Sequence, residues 1–176
     1  MKKFTIEFTW AVIFTLASLL WNVLEKALGY HDDKIGSQML FSMLFWLVSI
    51  PIYIFAIRDK QKHYFHDRAN WTQLFLSGIV LSVFAALMCP LAVYINLNVI
   101  SPDFVGNGTR YFVEVKKMTA DKALMYVGYR SLVIQGVSSI ISVGVIISAI
   151  IALFIKSDVP EPIVEQPKKT KKKKKR

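Results

Sequence analysis

Four stretches of this chain, residues 8–24, 39–57, 71–95 and 131–155, contain no charged side chain. A bilayer's hydrocarbon core is about 30 Å thick, and a helix needs roughly 20 apolar residues to cross it. A helix in a soluble core would keep one polar face toward water; these blocks have none. The hydrophobic fraction is 54% even though the chain ends in a run of lysines. The chain is therefore predicted to be all-α and polytopic, with four transmembrane helices over residues 6–27, 37–57, 71–95 and 131–155. Lys2 and Lys3 give the first block the basic start of a signal peptide, but it is longer than a signal's apolar region and holds Trp10 and Trp21. It is read as a retained span. The single cysteine, Cys89, permits no intrachain disulfide and is read as a small packing residue.

The spans carry internal pattern. In the first, Ala11, Thr15, Ser18, Asn22 and Glu25 alternate at spacings of four and three, which puts them on one helical face. In lipid, small and polar side chains favour helix–helix contacts, so this face should point into the bundle. In the third, Gly78, Ser82 and Ala86 repeat every four residues; in the fourth, Gly136, Gly144, Ser148 and Ala152 make an incomplete version, with Ser131, Gln135, Ser138 and Ser142 as an adjacent polar stripe. Pro51 and Pro90 predict kinks, the first over residues 47–51. Tyr53, Trp71 and Tyr94 are read as interfacial anchors.

Residues 96–130 form the one sizeable segment outside the membrane. Ser101-Pro102-Asp103 and Gly106-Asn107-Gly108 read as chain breakers. Beyond them, Tyr111, Val115 and Met118 share a helical face, and Thr119 is placed to cap a second short helix. The expectation is a short helical excursion between the third and fourth spans. Residues 1–156 are thus one membrane domain, and residues 157–176 a disordered basic tail.

Four spans put both ends of the chain on one side. That side holds 15 basic residues against 7; without the eight from Lys168 onward the tally is 7 against 7. Position breaks the tie, because Arg58, Lys60, Lys62 and Arg68 lie in a short loop near two membrane ends. The positive-inside rule weights such proximity, so both termini are assigned to the cytoplasm.

Little in the sequence carries chemistry. Glu7 and Glu25 flank the first span, near the headgroups, where a carboxylate stays hydrated. Asn22, Glu25, Gln135 and Ser138 are the candidate polar site within the bundle. His63, His66 and Asp67 have metal-like spacing but fall short of a ligand set, and His31 lies across the membrane from them. No phosphate-binding loop, paired acidic motif or serine–histidine pair is present, so no catalytic, cofactor-binding or metal residue is assigned and no enzyme is expected. The tail residues Lys168, Lys169, Lys171, Lys172, Lys173, Lys174, Lys175 and Arg176 suit contact with anionic lipid, each gaining about 1 kcal/mol at such a surface. Without interleaved aromatics they do not suit nucleic acid. Asn107-Gly108-Thr109 is an acceptor pattern for N-glycosylation, relevant only in a eukaryotic secretory pathway.

Four segments carry a likeness to a known family: Leu20-Trp21 leading to Leu24-Glu25-Lys26 and His31-Asp32; Ala56-Ile57-Arg58-Asp59-Lys60; Val99-Ile100-Ser101-Pro102-Asp103-Phe104; and Lys117-Met118-Thr119. In these the chain resembles the small bacterial membrane proteins grouped as domain of unknown function 4199, over roughly residues 1–156. The resemblance implies a bacterial inner-membrane location and a four-helix fold, and no activity. Three expectations follow. The first is a non-catalytic scaffold or accessory component, with partner helices or further copies of itself; the second is an oligomeric small-solute or ion transporter or channel; the third is a membrane-embedded enzyme.

Overall fold

The computed structural model describes residues 3–157. Every regular element among them is a helix: α1 (Thr5–Ala27), α2 (Gln38–Met43) entered through a 3-10 turn, α3 (Phe45–His63), α4 (Trp71–Ile95), α5 (Phe104–Glu114), α6 (Ala120–Val127) and α7 (Tyr129–Ile155). Four membrane-length passes result, made by α1, the α2–α3 pair, α4 and α7. Their outward faces carry bare large apolar side chains, among them Leu20, Leu87 and Phe154. Such a surface is stable where the surrounding solvent is itself apolar. The protein is a multi-pass membrane protein of all-α class, with α5 and α6 as the excursion between its third and fourth passes.

The closest packing joins α4 to α7 in antiparallel register. A Cβ added to Gly78 would overlap the side chain of Ser148, and one added to Gly144 would overlap Ser82 and the Tyr53 hydroxyl. Further along, Gly136 faces Cys89 in the same way. The four-residue repeats of small side chains are thus the seam itself, with each helix's glycine taking the other's serine. Both serines satisfy their hydroxyls on their own helix: Ser82 donates to the Gly78 carbonyl at 2.9 Å and Ser148 to the Gly144 carbonyl at 2.6 Å. With its proton so committed, Ser82 accepts from the Tyr53 hydroxyl at 2.8 Å. Tyr53 is therefore a fully buried core residue and not an interfacial anchor; a tyrosine can sit there because the seam supplies an acceptor.

The second pass is interrupted at Leu44, between α2 and α3. Around it the hydrogen bonds tighten to three-residue spacing, from Leu44 N–H to Phe41 O and from Leu47 N–H to Leu44 O. Pro51 stays inside α3. That helix runs on to His63, past the expected end at residue 57, and carries Lys60 into the packed interior. At the other end α4 continues through a π turn, Asn96–Ile100, closed by Ser101 N–H on the Asn96 carbonyl at 2.7 Å.

The Gly106-Asn107-Gly108 segment is helical, not a break. Gly108 lets Val127 of α6 approach where a Cβ would collide, and Asn107 donates to the His31 carbonyl at 3.1 Å and to Asp32 at 2.8 Å. Tertiary contacts thus override weak local propensity. Thr119 does stand at the N-cap of α6, but its side chain makes no capping bond.

At the end of the bundle where α1 begins and α7 ends, α7 is fastened to the turn between α3 and α4. Ser157 N–H donates to the Ala69 carbonyl at 2.9 Å, and its hydroxyl donates to the Asp67 carbonyl at 2.6 Å. Gln61 donates to the Ile155 carbonyl at 2.7 Å. His66 and Asp67 hold left-handed backbone angles, φ 53° and 60°, in that turn. Two such residues cost of order 1 kcal/mol or more each, and the fastening holds them in place.

Candidate functional site

Three polar features lie within the bundle. The first sits at the end of the bundle where α1 begins and α7 ends. Glu7, in the first turns of α1, is 3% exposed. Lys60 of α3 reaches it at 2.9 Å, and Ser77 of α4 donates to it at 3.0 Å. Lys60 also donates to the Lys3 carbonyl and lies over the Tyr64 ring, 3.9 Å from its centroid. One carboxylate therefore ties three helices together.

The second lies at the far end. Glu25, in the last turns of α1, is 1% exposed and accepts three hydrogen bonds. They come from His31 Nε2 at 3.1 Å, Gln38 Nε2 at 3.1 Å and Ser42 Oγ at 2.5 Å. His31 is fully buried, edge-on to Phe104 of α5, and its Nδ1 has no partner. Lys26 and the Ile100 carbonyl make a further link between α1 and the end of α4. Neither Glu7 nor Glu25 is the hydrated interfacial carboxylate expected from sequence. A buried carboxylate without partners costs several kcal/mol, and each of these sits inside because its partners are already arranged around it.

The third is a half-open cavity of about 390 Å³ that runs from the level of Phe14 and Ala85, near the middle of the spans, to Asn96 and Phe104 at the far end. Met39 and Met43 of α2 stand on one side of it, and Leu132, Gln135 and Ser139 of α7 on the other. The break at Leu44 sets α2 aside from the tight α4–α7 seam, and the cavity occupies the gap. Its polar lining comes from the predicted face of α1 (Thr15, Ser18, Asn22), from Gln38 and Ser42, from Asn96, and from Gln135 and Ser139 of α7.

The four residues of the predicted polar site are distributed accordingly. Asn22 and Gln135 both line the cavity. Glu25 stands behind its wall, reached through Gln38 and Ser42. Ser138 is exposed on the outer surface of α7, and its neighbour Ser139 lines the cavity instead. The lysines and arginine of the tail, Lys168 to Arg176, lie outside the described residues. His63 pairs with Asp59 at 2.6 Å on the surface of α3.

Lys60, His31 and Asn96 are the residues that sequence reasoning missed. From sequence Lys60 falls in a loop, because nothing local marks where α3 ends. His31 lies six residues beyond Glu25, a spacing explained only by the turn that folds it back. Asn96 follows an uncharged block, and nothing local marks that the helix continues past it.

No curated protein and no solved structure matches the chain. One family description does, over residues 9–157, which takes in the four passes except the first turn of α1 with Glu7, and the cavity. The chain thus belongs to the family described as Protein of unknown function (DUF4199).

Proposed function

We propose that this protein is a non-catalytic scaffold or accessory component of the bacterial inner membrane, with both termini in the cytoplasm, acting by binding and not by chemistry. The observation that carries this reading is the state of its two buried carboxylates. Glu7 is engaged by Lys60 and Ser77, and Glu25 by His31, Gln38 and Ser42. Groups so fully engaged fasten helices together. A catalytic acid or base, or a proton carrier, needs a face open to its substrate or to water. The distribution of loop lysines and arginines near the membrane ends supports the cytoplasmic assignment.

Glu25→Gln tests the reading. The amide keeps the shape but replaces one acceptor with a donor, facing Gln38, Ser42 and His31. As a clamp, Glu25 should lose about 2 kcal/mol on this change, seen as a lower melting temperature of the detergent-solubilised protein. Unchanged melting would remove the clamp and return Glu25 to the candidates for chemistry.

A second reading, an oligomeric small-solute or ion transporter or channel, draws on the cavity, which extends from the far end to mid-span with Asn22 and Gln135 in its wall. Below it the Gly78–Ser148 and Gly144–Ser82 contacts close the bundle. Transport would require that seam to open. Solute flux into vesicles containing the protein, abolished by locking the seam, would favour this second reading.

A further inference from the structure

Where α6 meets α7 the chain turns at Gly128, and the first turns of α7 hold that elbow in place. The last carbonyls of a helix have no partner within it. Here Gly128 N–H donates to the Leu124 carbonyl at 2.9 Å, Ser131 to the Met125 carbonyl at 2.5 Å and Gln135 to the Tyr126 carbonyl at 3.1 Å. Two residues of the polar stripe of α7 thus cap α6 and fix the angle between the two helices. The elbow so formed bounds a groove of about 440 Å³.

Six side chains give the groove its character. Leu124 and Met125 of α6 and Tyr129 and Ile134 of α7 supply apolar walls, and all four are exposed. Asp121 of α6 and Arg130 of α7 supply opposite charges, and no other charged side chain among the described residues lines it. Both are exposed, and neither enters an ion pair among the described residues, so they do not neutralise each other. Tyr129 donates its hydroxyl to the Pro90 carbonyl, 3.3 Å away near the end of α4. Arg130 directly precedes the uncharged residues 131–155. The groove therefore lies at the boundary between headgroups and hydrocarbon, where tyrosine and arginine anchor a span. Ile134, one turn inside the uncharged stretch, carries its wall on into the hydrocarbon.

We propose that this groove binds the head of one zwitterionic phospholipid bearing a primary ammonium, drawn from the surrounding bilayer. Arg130 pairs with the phosphate, Asp121 accepts from the ammonium, and an acyl chain runs over Met125 and Ile134. One cation and one anion held apart in a single groove match a head that carries the same two charges on a short linker. A net anionic head would satisfy Arg130 and leave Asp121 facing a like charge. A trimethylammonium head has no N–H for Asp121 to accept. This lipid site is separate from the helix clamps at Glu7 and Glu25 and goes beyond the binding role proposed above.

The test uses the full chain, delipidated in detergent and titrated by native mass spectrometry with three palmitoyl-oleoyl phospholipids that differ only in the head. These are phosphatidylethanolamine, phosphatidylcholine and phosphatidylglycerol. One phosphatidylethanolamine should be retained per chain, about tenfold more strongly than either of the others, the scale of one charge-assisted contact. Arg130→Gln should lower that retention about tenfold. Asp121→Asn should bring phosphatidylethanolamine down to the level of phosphatidylcholine, leave phosphatidylcholine unchanged and raise phosphatidylglycerol. Both side chains are exposed, so both variants should melt with the unaltered chain. Should either melt lower, Met125→Glu, an exposed change that sets a second carboxylate in the wall, should abolish phosphatidylethanolamine retention instead. Equal retention of the three lipids, preference for phosphatidylglycerol, or an ethanolamine preference that survives Arg130→Gln, Asp121→Asn or Met125→Glu would overturn the proposal. These readouts do not depend on the melting of Glu25→Gln, so the lipid site and the clamp can fail separately.

Discussion

Lys60 shows how much a single side chain can decide in this protein. Its side chain is 4% exposed and pairs with a glutamate side chain that is 3% exposed. Deleting one partner of such a pair leaves the other buried and uncompensated, at a cost of about 3 kcal/mol. Lys60→Met is expected to destabilise by that amount, while adding Glu7→Gln to it should recover most of the loss, since neither charge then remains. Thermal melting of the two single variants and the double variant would measure the coupling. Additive losses would mean that the two residues act separately. None of this was legible from sequence. Glu7 and Lys60 are 53 positions apart, and a lysine following an apolar block looks like any other interfacial charge. Only the overrun of α3 to His63 brings its long stem inside. The inward face of α1 was legible, by contrast, because Thr15, Ser18 and Asn22 follow a helical period that needs no tertiary information.

Among the elements, the α4–α7 pair was the most readable, because close helix packing in lipid depends on a property each residue carries by itself, its size. Gly144→Val would force a branched side chain against Ser82 and Tyr53, with an expected cost of about 3 kcal/mol and a matching drop in melting temperature. Gly106 is the control. Nothing lies within 4 Å of where its Cβ would be, and it stands inside α5, so Gly106→Ala should be neutral or stabilising by up to about 1 kcal/mol. If both changes behaved alike, the seam would not be what distinguishes them. The element that was misread has a tertiary cause. The Gly106–Gly108 segment is a strong local signal, yet α5 is held helical by what Asn107 and Gly108 touch in other parts of the chain.

For the molecule as a whole, four passes followed from the lengths of the uncharged blocks alone. How they are arranged did not, and so the cavity was invisible: it comes from the break at Leu44 that sets α2 aside from the α4–α7 seam. Sidedness can be tested directly after Cys89→Ala removes the native thiol. A membrane-impermeant maleimide should label Asp33→Cys in intact cells, and Arg68→Cys only after permeabilisation. The reverse pattern would invert the protein in its membrane.

The fastening of Ser157 to Ala69 and Asp67 bears on how this protein would carry a load. Helix ends usually fray under tension, one residue at a time. Here a pull on anything joined beyond residue 157 would pass sideways into the hairpin of α3 and α4, and would meet the resistance of two helices instead of one loosening thread.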